Sequence, residues 1–143
     1  MTPRLSVADY PAQEERSTLS VSVIVPILNE AGFIQKTLDG ILAQDYPAHS
    51  LEVLVVDGGS SDGTQDVVRG YAEAHPQVRL LENPKRWSSA ARNIGIQAAD
   101  GSVVVIVDGH CEFFDDQYFR HLAQAFEDES VQCLGRPQPL DID

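Results

Sequence analysis

The amino-acid sequence predicts an α/β fold, a mainly parallel β-sheet flanked by helices. One observation is that short apolar runs recur along the chain, most of them nearly continuous and β-branched, as in parallel strands covered on both faces. The other observation is that the segments between these runs carry apolar residues at helical spacing. Because strands and helices alternate, we expect one layer of strands with helices outside it.

Four strands are expected from the apolar runs. Residues 21–25 and residues 103–107 consist almost entirely of Val and Ile, and residues 53–56 form a shorter run of Val and Leu. Residues 78–81 contain an arginine and therefore predict a weaker strand. A further strand is expected at residues 131–134, just before a loop rich in proline.

Four helices are expected because apolar residues recur at every third or fourth position. In the first helix Ile34, Leu38 and Ile41 share one face, and in the last helix Tyr118 and Leu122 do so. The expected helices span about residues 31–43, 63–73, 90–98 and 118–126.

The domain is expected to cover residues 21–143. Residues 1–20 mix polar residues with proline and show no sustained pattern, which predicts a flexible leader. A chain of 143 residues is long enough to bury a core without disulfides or structural metals. Nothing in the sequence would cover a strand at residues 131–134, so we expect the chain to be the front part of a larger protein.

The composition excludes several classes of partner. The 10 Lys and Arg residues against 22 Asp and Glu residues give a formal net charge of −12, whereas nucleic-acid binding needs clustered cations. Cys111 and Cys133 lack a C-x-x-C spacing and predict small, buried thiols in a reducing compartment. No apolar stretch reaches the roughly 18–20 residues that span a membrane. We therefore expect a soluble, cytoplasmic chain with no nucleic-acid partner.

Polar residues follow three of the predicted strands, at the sheet edge where open α/β sheets bind ligands. Because parallel strands end at the same edge, we expect these side chains to share one pocket. They are Pro26, Asn29 and Glu30 after the first strand, Asp57 and Gly58 after the second, and Asp108 and His110 after the fourth.

Asp108 and His110 form a candidate metal site. In extended backbone, residues two positions apart point the same way, so a carboxylate oxygen and an imidazole nitrogen could share one ion. Mixed oxygen and nitrogen ligands suit Mn²⁺ or Mg²⁺ that also contacts diphosphate oxygens. The alternative is that Asp108 caps the following turn and His110 is an ordinary surface residue.

A loop rich in Gly and Ser, residues 57–64, follows the second predicted strand. Its backbone amides and the Asp57 carboxylate could contact a base and a ribose, and Asp62 and Gln65 have the spacing of a capping box. The alternative is a well-formed turn that binds nothing. The motifs of P-loop proteins and of dinucleotide-binding proteins are both absent.

Scarce basic residues cluster near the start of the third predicted helix. Lys85, Arg86 and Arg92 are three of the ten cations, and this clustering favours an anionic ligand. Ser88 and Ser89 are expected to cap the free amides of that helix. In isolation, a solvated or structurally paired Arg92 is the simpler interpretation.

Four segments together resemble family 2 glycosyltransferases in order and spacing. They are V-S-V-I-V-P-I-L-N-E (residues 21–30), V-V-D-G-G-S-S-D-G-T (55–64), A-A-R-N-I-G-I (90–96) and V-D-G-H-C (107–111). The chain resembles the N-terminal, nucleotide-sugar-binding part of these enzymes. The residues of its last two motifs are most similar to those of bacterial exopolysaccharide enzymes of the succinoglycan type. The resemblance implies a Rossmann-like GT-A fold. It also implies transfer of a sugar from a nucleoside diphosphate to an acceptor hydroxyl, with inversion at the anomeric carbon.

The resemblance also implies roles for individual residues. Pro26, Asn29 and Glu30 would line the donor pocket, and Asp57 would lie against the base or ribose. Arg92 would lie near the diphosphate or the ribose. The implied partners are a nucleotide-sugar donor and a saccharide or lipid-linked saccharide acceptor, with membrane association possible for the full-length protein at the inner face of the cytoplasmic membrane.

Two positions depart from the family pattern. Gly58 replaces the second aspartate of the usual V-D-D-G-S, so this donor-binding position cannot offer a carboxylate to a uracil. Asp108 and His110 occupy the D-x-D position, with imidazole in place of the last carboxylate as a ligand for Mn²⁺ or Mg²⁺. The catalytic base is expected beyond residue 143.

Two other classes of function stay open on the sequence alone. A non-catalytic module that binds nucleotide or metal would keep the same fold and the same strand-end residues. A nicotinamide-dependent oxidoreductase is disfavoured because the dinucleotide fingerprint is absent.

Overall fold

The computed structural model describes residues 19–135, and it confirms a parallel sheet flanked by helices. The residues of the predicted leader that precede Leu19, and those that follow Gly135, lie outside the described part. In chain order the elements are β1 (Val21–Ile27), α1 (Ile34–Leu42), β2 (Leu51–Asp57), α2 (Thr64–Ala74), β3 (Val78–Glu82), α3 (Ser88–Ala98), β4 (Val103–Ile106) and α4 (Tyr118–Phe126). A short 3-10 helix, Ala48–Ser50, leads into β2.

The four strands are all parallel and lie in the order β3-β2-β1-β4. Their register brings strand ends to one level, since Ile27 is paired with Asp57 and Asp57 with Glu82. Beyond β4 the Val107 amide still donates to the Ile24 carbonyl at 2.9 Å. The residues that follow β1, β2 and β4 therefore emerge at the same edge of the sheet.

Helices cover the two faces of the sheet unequally. One face carries the main core, in which Ile34 and Leu38 of α1, Val68 of α2 and Phe119 of α4 pack on the strands. On the other face α3 contributes Ala91 to a smaller cluster with strands β1 and β2. Because α3 packs on β1 and β2, the side chains of β4 on that face, Val104 and Ile106, are exposed.

The strand predicted at residues 131–134 is wrong. Residues 129–135 form a turn and irregular backbone, and the Val131 amide donates to the Asp128 carbonyl at 2.9 Å rather than to a strand. Gln132, Cys133 and Leu134 are all exposed, so this short apolar run has no core face to bury, and the buried thiol predicted at Cys133 is wrong as well. No helix in residues 19–135 is long and apolar enough to cross a membrane.

Candidate functional site

A cleft of about 330 Å³ crosses the carboxyl end of β1. One wall is the segment after β4, with Asp108 and His110, and the opposite wall is the loop between β3 and α3, with Arg86 and Trp87. Pro26, Leu28 and Glu30, at and after the end of β1, also line it. Of the residues predicted for the site, the structure brings together Pro26, Glu30, Asp108 and His110.

The segment 108–110 lies close against β1 because residue 109 has no side chain. A Cβ at Gly109 would lie 2.7 Å from Ile27 Cγ2 and 3.3 Å from Glu30 Cγ. Next to it, His110 Nδ1 lies 3.2 Å from Glu30 Oε1. The glycine therefore allows the candidate metal-binding segment to approach the residues after β1.

Thr37 holds the same segment from α1. Its buried hydroxyl lies 3.0 Å from the Gly109 carbonyl and 3.1 Å from the Cys111 carbonyl, and donates to this pair of acceptors. Thr37 was not predicted from the sequence, although a polar residue on the apolar face between Ile34 and Leu38 was an available signal. Thr37 connects the core of the domain to the backbone beside Asp108.

Asp57 lies at the same sheet edge, but it is not among the residues that line the cleft. Its side chain is 3% exposed, and Oδ2 accepts hydrogen bonds from the amides of Gly59 and Ser60 at 3.0 Å each and from Gln65 Nε2 at 2.6 Å. Burial raises the pKa of the Asp57 carboxyl, but the hydrogen bonds from Ser60, Gln65 and Gly59 outweigh it and leave that pKa below its ordinary value. The carboxylate thus organises the loop that follows β2.

Asn29 has a similar structural role. It has a left-handed backbone with φ of 55°, and its Oδ1 accepts the Ser61 amide at 2.9 Å. The Asn29 amide in turn donates to Ser60 Oγ at 2.8 Å. These bonds join the turn after β1 to the loop after β2, so the Asn29 side chain supports the edge of the cleft without lining it.

Two predicted helix caps are wrong. At α2 the N-cap residue is Gly63, Asp62 accepts the Thr64 amide, and Gln65 reaches Asp57 instead of closing a capping box. At α3 the N-cap residue is Trp87, and within residues 19–135 the helix has no side-chain cap hydrogen bond. In both places we expected a side chain to cap the first turn of its own helix. At α2 the Gln65 side chain instead hydrogen-bonds to Asp57 at the end of β2.

Arg86, rather than the predicted Arg92, brings a cation to the cleft. Arg92 is exposed on α3 and is not among the lining residues. Arg86 has φ of 64°, and its backbone lies so close to Gly58 that a Cβ there would be 3.1 Å from the Arg86 carbonyl oxygen. The sequence carries no signal for this left-handed arginine, so spacing alone could not single out Arg86 within the basic cluster, and the role predicted for Arg92 stays a prediction.

Asn83 fixes the loop that presents Arg86 and Trp87. It is buried, its amide donates to the Asp57 carbonyl at 2.8 Å, and its Nδ2 donates to the Trp87 carbonyl at 3.0 Å. Trp87 itself is 73% exposed although it lines the cleft. A large aromatic surface is therefore held open beside the cation, a combination suited to a flat, anionic ligand.

The residues present fit a hard divalent cation. Within residues 19–135 no side chain hydrogen-bonds or pairs with the exposed Asp108 carboxylate, and His110 offers a ring nitrogen two residues further on. The same part of the chain has no group of three or more His, Cys, Asp or Glu side chains arranged around a common point. Two protein ligands are enough for Mg²⁺ or Mn²⁺ when substrate phosphates and water complete the shell.

A second cleft of about 460 Å³ shares the Asp108 wall. It lies on the outer side of β4, where Phe113, Phe114 and Tyr118 line it. Phe114 is 86% exposed there. Asp108 thus lines both the cleft across β1 and an aromatic cleft beside β4.

Known proteins are similar to this chain over most of its described part. Residues 22–139 match the family described as Glycosyl transferase family 2. Glycosyltransferase AglE of Haloferax volcanii is 45% identical over 92 residues, which are 64% of this chain and 30% of that protein. Succinoglycan biosynthesis protein ExoA of Rhizobium meliloti is 33% identical over 107 residues, which are 73% of this chain and 32% of that protein.

A solved structure agrees with these sequence matches. The mannosyltransferase PcManGT from Pyrobaculum calidifontis, in complex with GDP-Man and Mn²⁺, superposes with a TM-score of 0.75 at 38% identity. The match covers 82% of this chain and 36% of that one, so the chain spans about a third of the length of these similar proteins. The fold predicted from the resemblance is thereby confirmed. With its family match over residues 22–139, the chain belongs to glycosyl transferase family 2.

Proposed function

We propose that this chain is the donor- and metal-binding part of a glycosyltransferase that moves a sugar from a nucleoside diphosphate to an acceptor hydroxyl with inversion. The observation that carries the proposal is the cleft itself. It places an unpaired carboxylate and an imidazole, Asp108 and His110, opposite a cation and an aromatic ring, Arg86 and Trp87. A nucleoside diphosphate combines a flat base with a charged group that binds metals. The base would suit the wall with Trp87, and the charged group would suit the wall with Asp108 and His110.

Asp108 and His110 would hold Mn²⁺ or Mg²⁺. The similarity to PcManGT, whose structure contains GDP-Man and Mn²⁺, supports this assignment. When bound, the ion supplies electrostatic stabilisation of the negative charge that develops on the leaving diphosphate. The protein's own contribution is to fix the two ligands on the segment that Thr37 and Glu30 hold.

The nucleoside would extend from the metal end across β1 toward the loop between β3 and α3. Pro26 and Glu30 would line its path, and Trp87 would offer its ring to the base. Asp57, Asn29 and Gly58 would act on the donor through the shape of the loops, because their groups are bonded within the loop after β2 or between that loop and the end of β1. Arg92 would at most meet a phosphate from outside the cleft.

Inversion requires a general base that takes the proton from the acceptor hydroxyl. We assign that role to no residue of the described part, and we propose that the base is supplied by sequence beyond residue 143. The similarity to ExoA supports a role in bacterial exopolysaccharide synthesis, with a saccharide or lipid-linked saccharide as acceptor. The full-length protein would then act in the cytoplasm, at the inner face of the cytoplasmic membrane.

Calorimetric titration with GDP-, UDP- and dTDP-sugars, each with and without Mn²⁺, tests the proposal. We expect one donor to bind more tightly with Mn²⁺, and Asp108→Ala to abolish the gain from the metal. The matched control is Asp66→Ala, which removes a carboxylate that pairs with Arg69 on α2, away from the cleft. If no donor binds, or if Asp108→Ala binds as the wild type does, the proposal is refuted. Donor binding by a longer protein that transfers no sugar would instead favour a non-catalytic module.

A further inference from the structure

Glu30 and His110 form a contact across the metal end of the cleft. His110 Nδ1 lies 3.2 Å from Glu30 Oε1, although 80 residues separate them in the chain. The two side chains differ in environment, since 59% of the His110 side chain and 19% of the Glu30 side chain is exposed. The histidine therefore reaches into solvent from a carboxylate that is itself largely enclosed.

Glu30 is fixed by its backbone before its side chain meets the histidine. Its amide donates to Thr64 Oγ1 at 2.9 Å, and its carbonyl accepts the amides of Phe33 and Ile34 at 2.9 Å each, where α1 begins. Its Cγ would be only 3.3 Å from a Cβ at residue 109, so the glycine there leaves room for it. The backbone of Glu30 is thus hydrogen-bonded at both its amide and its carbonyl, and its side chain packs against Gly109. Its carboxylate is therefore a rigid hydrogen-bond acceptor.

This acceptor determines which ring nitrogen of His110 carries the proton. An ionised carboxylate can only accept hydrogen bonds, so the neighbouring Nδ1 must donate. In a neutral imidazole, protonation at Nδ1 leaves Nε2 with a free electron pair. Histidines that bind metals are commonly oriented in this way, by a carboxylate or carbonyl on the second nitrogen.

We propose that Glu30 is a positioning residue for His110, which holds the ring and presents Nε2 as the ligand atom for the divalent cation. This inference rests on the proposed function, because it assumes that the cation binds at Asp108 and His110. It adds to the role expected for Glu30. The carboxylate acts on the metal through the histidine, in addition to lining the path of the nucleoside.

The first test needs no metal and no donor. Long-range ¹H–¹⁵N spectra of the labelled, metal-free chain near pH 8, with His110 assigned by loss of its signals in His110→Asn, report the protonated ring nitrogen. We expect protonation at Nδ1 in the wild type and a shift toward protonation at Nε2 in Glu30→Ala. Glu30→Gln keeps an oxygen that can accept from Nδ1 and is nearly the same size, so it should retain the wild-type tautomer and guards against a folding defect.

The second test measures the affinity for Mn²⁺ alone by electron paramagnetic resonance. Loss of an outer partner of a metal-binding histidine typically weakens binding about 10–100-fold, which we expect for Glu30→Ala, with a smaller loss for Glu30→Gln. Glu112→Gln is the matched control. It removes a negative charge two residues from His110 that pairs with Lys36, and it should change the affinity less than about twofold if positioning rather than charge decides.

The outcomes separate this inference from the proposed function. A wild-type His110 protonated at Nε2, or a Glu30→Ala chain that folds and binds Mn²⁺ as well as the wild type, overturns the inference alone. A comparable loss in Glu112→Gln overturns it as well, because net charge would then explain the effect. A wild type that binds neither Mn²⁺ nor any donor overturns the proposed function.

Discussion

Replacement of Thr37 by valine should loosen the segment that carries Asp108 and His110. Valine keeps the branched shape but removes the hydroxyl, so the carbonyls of Gly109 and Cys111 lose the donor that lies 3.0 and 3.1 Å away. Leaving a buried acceptor without a partner costs about 1–3 kcal/mol. Because Gly109 is buried and Cys111 is only partly so, we expect the free energy of unfolding to fall by about 1–2 kcal/mol, near the lower part of that range.

Urea denaturation followed by circular dichroism measures this loss as a lower midpoint with an unchanged slope. Thr37→Ser is the control, since it keeps the hydroxyl and gives up one methyl group, worth about 0.8 kcal/mol. The two variants should differ most in Mn²⁺ affinity, which falls in Thr37→Val and is retained in Thr37→Ser. Equal Mn²⁺ affinities in the two variants, or a Thr37→Val chain as stable as the wild type, would refute the reasoning.

Three further predictions concern the loops and the sheet. The pKa of Asp57 is lower in the folded protein than its ordinary value. The stability that this carboxylate contributes is therefore present above the pKa of the unfolded chain and is lost as pH falls through the pKa of the folded protein. Asp57→Asn should make the urea midpoint depend less on pH in the acidic range, and an unchanged profile would contradict this. Gly58→Asp places a Cβ 3.1 Å from the Arg86 carbonyl oxygen, so it should lower the melting temperature without raising the affinity for UDP. Tighter UDP binding would contradict this, because the loop would then have moved to accommodate the new side chain. Gly95→Ala places a Cβ 2.4 Å from Ile24 Cγ2. The cost of overpacking, about 1–3 kcal/mol, should outweigh the gain in helix propensity of up to about 1 kcal/mol, so the variant should be less stable than the wild type. A variant that is more stable to urea would contradict this.

The fold was largely predictable because burial on both faces leaves a strong trace in the sequence. Residues 53–56 lie within β2 and residues 103–106 form β4, and parallel pairing follows from the helices between the strands. The trace fails where the core ends. Residues 131–134 are mostly apolar, but no other element of the described part covers them. Composition alone cannot distinguish such a segment from a strand.

The candidate site was predictable to the extent that it depends on strand ends. Asp108 and His110 share the cleft because they follow a strand, but Asp57 is withdrawn from it by four hydrogen bonds, three from its own loop and one from the first turn of α2. Thr37 acts over 72 residues, and the presentation of Arg86 depends on a left-handed backbone. Long-range contacts and unusual dihedral angles follow from the assembled fold, so local spacing could not predict them.

The level ends of the strands have a consequence for how such a cleft changes between relatives. Its floor is the end of β1, which is bonded on both sides in the sheet, whereas the two walls are connecting segments that tolerate exchange. The wall with Arg86 and Trp87 is such a segment, so under the proposed function an exchange of residues 84–87 that keeps the buried Asn83 should change the choice of nucleotide and leave the sheet beneath in place. The opposite wall is bonded to α1 through Thr37, so an exchange of that segment would disturb the core more than an exchange of the wall with Arg86.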